Sequence, residues 1–224
     1  MLANNLANTE TGGYKTDREF YSLYVAPDAT GVDSAATMPV IERPWTDFSQ
    51  GVIRPTGNPL DFALSGKGFF AVNGPDGPLY TRQGAFRISS AGVLVTGEGY
   101  PVRLTGGKQL QTTSQAPLDV AADGSVSQEG QPLGKLEIAS VADTSTLAKQ
   151  GSSYFVLAES SGQAVAAAGV EVRQGKLEGS NVATAESAVR LVSVLRQFEM
   201  LHKAVSIGDE MNKKAAQEVA RVSS

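Results

Sequence analysis

The sequence predicts a mainly β central domain, a small barrel or sandwich of short antiparallel strands, carrying a long C-terminal α-helix and a remnant N-terminal helix. Three observations predict it. Between Gly51 and Gly179, short alternating runs are separated by turn-forming clusters at roughly 8–12 residue spacing. Glycine is abundant, at 24 of 224 residues, as a turn-rich β domain requires. From Leu191 onward, apolar residues instead recur every three or four positions. Leu191, Val194, Phe198, Leu201, Val205, Ala215, Val219 and Val222 form one seam, interrupted only by Gly208 and Asn212.

The elements follow in order. Met1 to Asn8 (MLANNLAN) places Leu2 and Leu6 at helical spacing and reads as the last turns of a helix, which Gly12-Gly13 stops. Tyr14 to Tyr24 is an aromatic stretch of mixed pattern. Val25 to Met38 has a linker's composition, and Trp45 and Phe48 are expected to anchor the return to order. The boundaries are therefore 1–22 for the helical remnant and its following motif, 23–50 for the linker, 51–179 for the β domain and 180–224 for the coiled-coil-type helix.

Within the β domain, Leu60 to Ser65 alternates, as do Phe70 to Val72 and Leu79 to Arg82. The turn formers Asn73 to Gly77 predict a hairpin between the last two. Ala85 to Ser89 and Val93 to Thr96 form a second pair, and Gly97-Glu98-Gly99 a turn before Tyr100 to Val102. Further strands fit Leu118 to Ala121, Ser125 to Gln128, Gly134 to Val141, Ser153 to Leu157 and Val170 to Arg173. Gly179-Ser180-Asn181 then offers a flexible lead and an N-cap for the last helix, with Glu186 near its positive end. A second apolar row, Val182, Ala185, Val189 and Val192, predicts cover on two sides at that end. At 1.5 Å per residue the helix spans roughly 60 Å, more than a domain of this size can cover. Its seam needs a partner from elsewhere.

Composition removes several function classes. Net charge is -4 with no run of Lys or Arg, so nothing favours nucleic acid. Cysteine is absent, which excludes disulfides and thiolate metal sites. No apolar run reaches the roughly 18 residues of a membrane span, and the N-terminus lacks the pattern of a cleaved signal peptide. Gly66-Lys67-Gly68 precedes a strand and lacks the Ser or Thr of a phosphate loop, so it is a turn. The single histidine, His202, has no nucleophile motif beside it and flanks the helix seam. Asp209–Lys213 and Glu210–Lys214 have helix-stabilising spacing. No cofactor, metal or catalytic residue is predicted. An enzyme acting on cell-wall glycan would need two facing carboxylates, and no distinctive pair among Asp61, Asp76, Asp119 and Asp123 supplies them. A carbohydrate-binding β module would need aromatics on one sheet face, whereas Phe69, Phe70, Tyr80 and Phe86 read as core.

Several blocks, in chain order, resemble the bacterial flagellar basal-body rod and hook family. Leu2-Ala3-Asn4-Asn5-Leu6-Ala7-Asn8, then Gly13-Tyr14-Lys15, is similar to that family's N-terminal motif. Gly57-Asn58-Pro59-Leu60-Asp61 with Gly68-Phe69-Phe70 resembles its second block, which Tyr80-Thr81-Arg82 and Gly99-Tyr100-Pro101-Val102 extend. Gln174-Gly175, Leu177-Glu178 and Ser180-Asn181-Val182 match the approach to its C-terminal helix. The resemblance implies a non-enzymatic structural subunit of the rod, the axial drive shaft needed for motility. It implies export by the flagellar type III machinery, a place in the basal body within the cell envelope, and polymerisation through terminal helices. The implied partners are other copies of the chain and other rod or hook subunits. The implied assembly surface is Leu2, Asn4, Asn5, Leu6 and Asn8 with Leu191, Val194, Phe198, Leu201 and Val205. The short stretch before Gly51 favours the proximal rod member, with the distal rod protein second. In the family more of the N-terminal helix precedes this motif, so Met1 is expected to stand at an internal position.

Overall fold

The computed structural model describes residues 1–25, 37–114, 116–157 and 164–222. A short helix, α1 (Leu2–Ala7), is followed by a long antiparallel hairpin of β1 (Thr16–Val25) and β2 (Thr37–Asp47), which pair from Thr16↔Asp47 to Val25↔Thr37. The next strands are β3 (Ile53–Pro55), β4 (Phe62–Ser65), β5 (Phe69–Asn73), β6 (Pro78–Thr81), β7 (Arg87–Ile88), β8 (Leu94–Val95) and β9 (Leu118–Val120). After them come β10 (Ser125–Gln128), β11 (Gln131–Lys135), β12 (Ile138–Ser140), β13 (Leu147–Gln150), β14 (Tyr154–Leu157), β15 (Val165–Ala166), β16 (Glu171–Gln174) and β17 (Lys176–Glu178). A single long helix, α2 (Thr184–Val222), follows.

The largest sheet has six strands in the order β13-β14-β6-β5-β12-β15, and every pairing in it is antiparallel. Its inward face and the smaller sheets enclose one apolar core. Phe62, Phe70, Val72, Phe86, Leu94, Leu110, Leu118, Val126 and Leu136 lie at its centre. A second cluster on the opposite face groups Phe69, Tyr80 and Phe155, with Phe48 packing edge-on to Phe69 and Phe155. Fully burying such side chains contributes on the order of 2 kcal/mol each. The β5–β6 hairpin and the β7–β8 pair fall where alternation and turn chemistry place them.

Four expectations need correction. The 23–50 segment is not a linker throughout, because 23–25 and 37–47 are strands that hydrogen-bond to each other; 26–36 lie outside the described residues. Gly134 to Val141 is two strands, because the chain changes sheet at Leu136: β11 pairs with β10, and β12 with β5 and β15. Trp45 is no anchor: it is half exposed, with the Arg18 guanidinium 5.9 Å from its ring. Only Val182 of the second apolar row is buried, while Ala185, Val189 and Val192 are exposed, so the helix is not covered on two sides there.

Candidate assembly interface

Two surfaces meet at the root of α2: a buried polar junction that fixes the helix to the domain, and an open apolar face beyond it. The junction is built from the last two strands, which run one after the other along β4 and then β3. β16 pairs with β4 and β17 with β3, so Glu178 arrives opposite Ile53 at the inner end of its ladder. Gly175, between the two strands, docks on the 56–61 loop. Thr56 and Gly57 donate backbone N–H bonds to the Gly175 carbonyl, and Gly175 donates to that of Asp61 at 2.8 Å. Asn58 shapes the loop by donating to the Asp61 carboxylate at 3.0 Å and accepting from the Leu60 amide at 3.2 Å, while the Pro59 carbonyl accepts from Gln174. Gly68 is small because a side chain there would press on Ile138 and Ala167. Tyr100 meets Tyr154 edge-on at 5.4 Å, and Pro101 accepts a backbone bond from Asn73. The motif residues Gly57 to Asp61, Gly68 to Phe70 and Gly99 to Pro101 thus hold the domain together.

Glu178 is fully buried and bonded on every side. One carboxylate oxygen accepts from Lys15 Nζ at 2.6 Å and from the Gly51 amide at 2.9 Å. The other accepts from Arg82 at 3.0 Å, and the Glu178 carbonyl accepts from the Gly13 amide. Lys15 and Arg82 are buried too. Burial pulls both pKa values below their usual range, against the opposing pull of Glu178. Carbonyls of Ser49, Leu64 and Gly66 take further donors, Arg82 Nε is left without a hydrogen-bond partner among the described residues, and the guanidinium lies 5.6 Å from the Phe69 ring. Gly13 permits the close approach: its φ is +67°, and a Cβ there would lie 2.3 Å from the Arg82 backbone.

The N-terminal motif closes over this cluster. Asn5 is buried; it donates to the Asp17 carbonyl at 2.8 Å and accepts from the Asp17 amide and the Tyr14 hydroxyl. The Asn5 side chain therefore bonds within its own chain, tying α1 to Tyr14 and the start of β1. Asn8 folds back on Asn4 to end α1. Burial, with the Asp17 charge beside it, pushes the Tyr14 phenol up to about 12. Lys149 caps the group, donating to the Lys15 carbonyl and the Asp17 carboxylate, with its ammonium 4.1 Å from the Tyr14 ring centre.

Asn181 is not the N-cap of α2. The first helical bond runs from the Ser187 amide to the Ala183 carbonyl, and the Asn181 side chain turns back to the domain. Lys15, Tyr14, Arg82 and Glu178 were absent from the predicted site. Their sequence signal was faint: opposite charges inside separate motif blocks, far apart along the chain.

Beyond the junction α1 lies against α2. Leu2, Leu6 and Leu191 are half-buried, and from there the seam is open. Val194 is 47% exposed, Phe198 65%, Leu201 67% and Val205 65%. The side chains of Ala215, Val219 and Val222 lie outside those described. His202 packs along Phe198 one turn away on the same helix. The spacing pairs Asp209–Lys213 and Glu210–Lys214 form no ion pair among the described residues.

One groove of about 530 Å³ carries two carboxylates, Asp123 and Glu137, but each is paired, with Lys135 and Arg103. Hydrogen bonds from Ser125 hold Asp123 below the usual carboxylate range, the opposite of what a general acid needs. Phe69, Phe70, Tyr80 and Phe86 are core residues, so they form no sugar-binding platform. No helix among the described residues is long and apolar enough to cross a membrane.

A β body locked to the root of a long helix with a bare apolar seam is the architecture of a structural subunit that assembles side by side with others. Residues 63–131 match the model of the flagellar hook protein FlgE/F/G D1 domain, and 173–218 that of the flagellar basal body rod FlgEFG protein C-terminal region. The flagellar basal-body rod protein FlgF of Caulobacter vibrioides is 31% identical over 99% of this chain and 91% of its own length. The FlgG proteins of Buchnera aphidicola from Acyrthosiphon pisum and of Bacillus subtilis are each 31% identical. They align over 97% and 94% of this chain and over 92% and 89% of their own lengths. The chain belongs to the flagellar basal-body rod protein family. It is a structural component of the bacterial flagellar basal body, most like the proximal rod member.

Proposed function

We propose that the chain polymerises through its terminal helices, with the seam from Leu191 to Val205 as the surface that neighbouring copies and other rod or hook subunits cover. The observation that carries this is the exposure of Val194, Phe198, Leu201 and Val205 on one stripe of a folded helix. Covering them contributes on the order of 2 kcal/mol per side chain, and water offers no comparable reason to keep them in register. The subunit works mechanically and without catalysis, and it reaches the rod through the type III export machinery.

Phe198→Asp tests the assembly surface. The variant keeps the β-domain melting temperature of the parent, because Phe198 touches none of that domain's core, yet it forms no polymers in sedimentation or electron microscopy. Normal polymerisation by this variant would remove the seam from the interface.

A further inference from the structure

Residues 179–183, between the last strand and α2, belong to no helix or strand, and they begin with Gly179 and Ser180. Such a stretch ordinarily swivels. Here it is tied down: the Gly179 amide donates to the Val52 carbonyl, Val182 is buried, and one side chain makes most of the polar contacts. Asn181 Oδ1 accepts from both the amide and the hydroxyl of Thr16, each at 2.8 Å. Its Nδ2 donates to the Asp47 carbonyl at 2.7 Å and to the carbonyl and hydroxyl of Ser49 at 3.1 Å. Its own amide donates to the Tyr14 carbonyl. One amide group thus ties the helix root to the first residue of β1 and to the end of β2.

We propose that Asn181 is the positioning residue that sets the direction in which α2 leaves the β domain. The chemistry needs an amide: the Thr16 side demands an acceptor and the 47–49 side a donor. Asp has no donor, Ala has neither, and Gln carries the same group one methylene too far. The leverage is large. Over 39 residues the helix runs about 58 Å, so a swing of about 10° at its root carries the far end about 10 Å. That equals the roughly 8–10 Å between packed helices, so a loose root would present the seam to the wrong neighbour. Only this consequence rests on the proposed assembly; the direction of α2 stands on the junction itself.

The chain has no cysteine, so two spin labels can be placed cleanly, at Asp76→Cys in an exposed turn and Gln197→Cys on α2. Pulsed electron resonance on the full chain should give one narrow distance distribution. Asn181→Ala should broaden it about twofold without loss of helix content, and Asn181→Asp should fall between, since it keeps the Thr16 bonds and loses the donors. Melting of the β domain, followed in the same samples, separates a swinging helix from an unfolded one. An unchanged width in Asn181→Ala overturns the proposal, while a broadened variant that polymerises at the parent's threshold overturns its consequence for assembly. If the parent itself never polymerises, the assembly reading fails, while the distance distributions still decide the role of Asn181.

Discussion

Replacing Glu178 by Gln should be among the most damaging single changes in the β domain, although it alters hardly any volume. The carboxylate serves two buried cations and the Gly51 amide, and Lys15, Arg82 and Glu178 all have side chains shielded from water. Neutralising it strands both positive charges. Removing one partner of a buried ion pair costs about 3–5 kcal/mol, a large part of the 5–15 kcal/mol that holds a typical domain. For a chain of this size that is a fall of roughly 6–20 °C in melting temperature. Raising the pH should recover part of it. Burial already holds the Lys15 pKa below its free value, and without Glu178 the ammonium loses its main support. A base with a depressed folded-state pKa binds fewer protons folded than unfolded, so folding gains stability as pH rises through the folded value toward 10.5. Arg82 cannot follow, so recovery is incomplete. Calorimetry of both proteins from neutral pH to about 10 reads both effects. A drop below about 3 °C at neutral pH, or a deficit that widens with pH, would refute this account of the triad.

Two further measurements test the scaffold. Tyr14 should ionise only near pH 12, read from the phenolate band. Because its folded pKa is raised, its contribution is complete below pH 10 and lost between 10 and about 12, so unfolding on alkaline titration should track its ionisation. Gly84→Ala should cost more than about 2 kcal/mol, since a Cβ there would sit 1.7 Å from the Phe62 carbonyl oxygen and the backbone must move. Urea denaturation measures it, and a cost near zero would mean that the two chain segments are not in contact.

Much of this architecture was legible in the residues. Period-two runs with Gly-rich turns gave β5, β6 and their hairpin, because each strand buries one face against a core the chain itself supplies. The seam of α2 was legible for the same reason: a 3–4 repeat survives whether or not its partner is present. The hairpin of β1 and β2 was not, since its pairing depends on contacts between segments and Pro39 and Pro44 make β2 read as loop. Asn181 looked like a helix cap because a local partner is the usual fate of such a side chain. Its true partners, Thr16, Asp47 and Ser49, are more than 130 residues away and no local pattern reveals them.

The distance between Lys15 and Glu178 along the chain also sets a clock. Their pair spans 163 positions, so at about 5–20 residues per second the ribosome needs roughly 8–33 s to supply the acid after the base. During that time Lys15 and Arg82 have no carboxylate to share, and β3 and β4 lack their partner strands β17 and β16. The domain can close only when it is nearly finished. A nascent chain of this kind stays open through most of its own synthesis, available to any factor that holds unfolded polypeptide before β16 and β17 emerge.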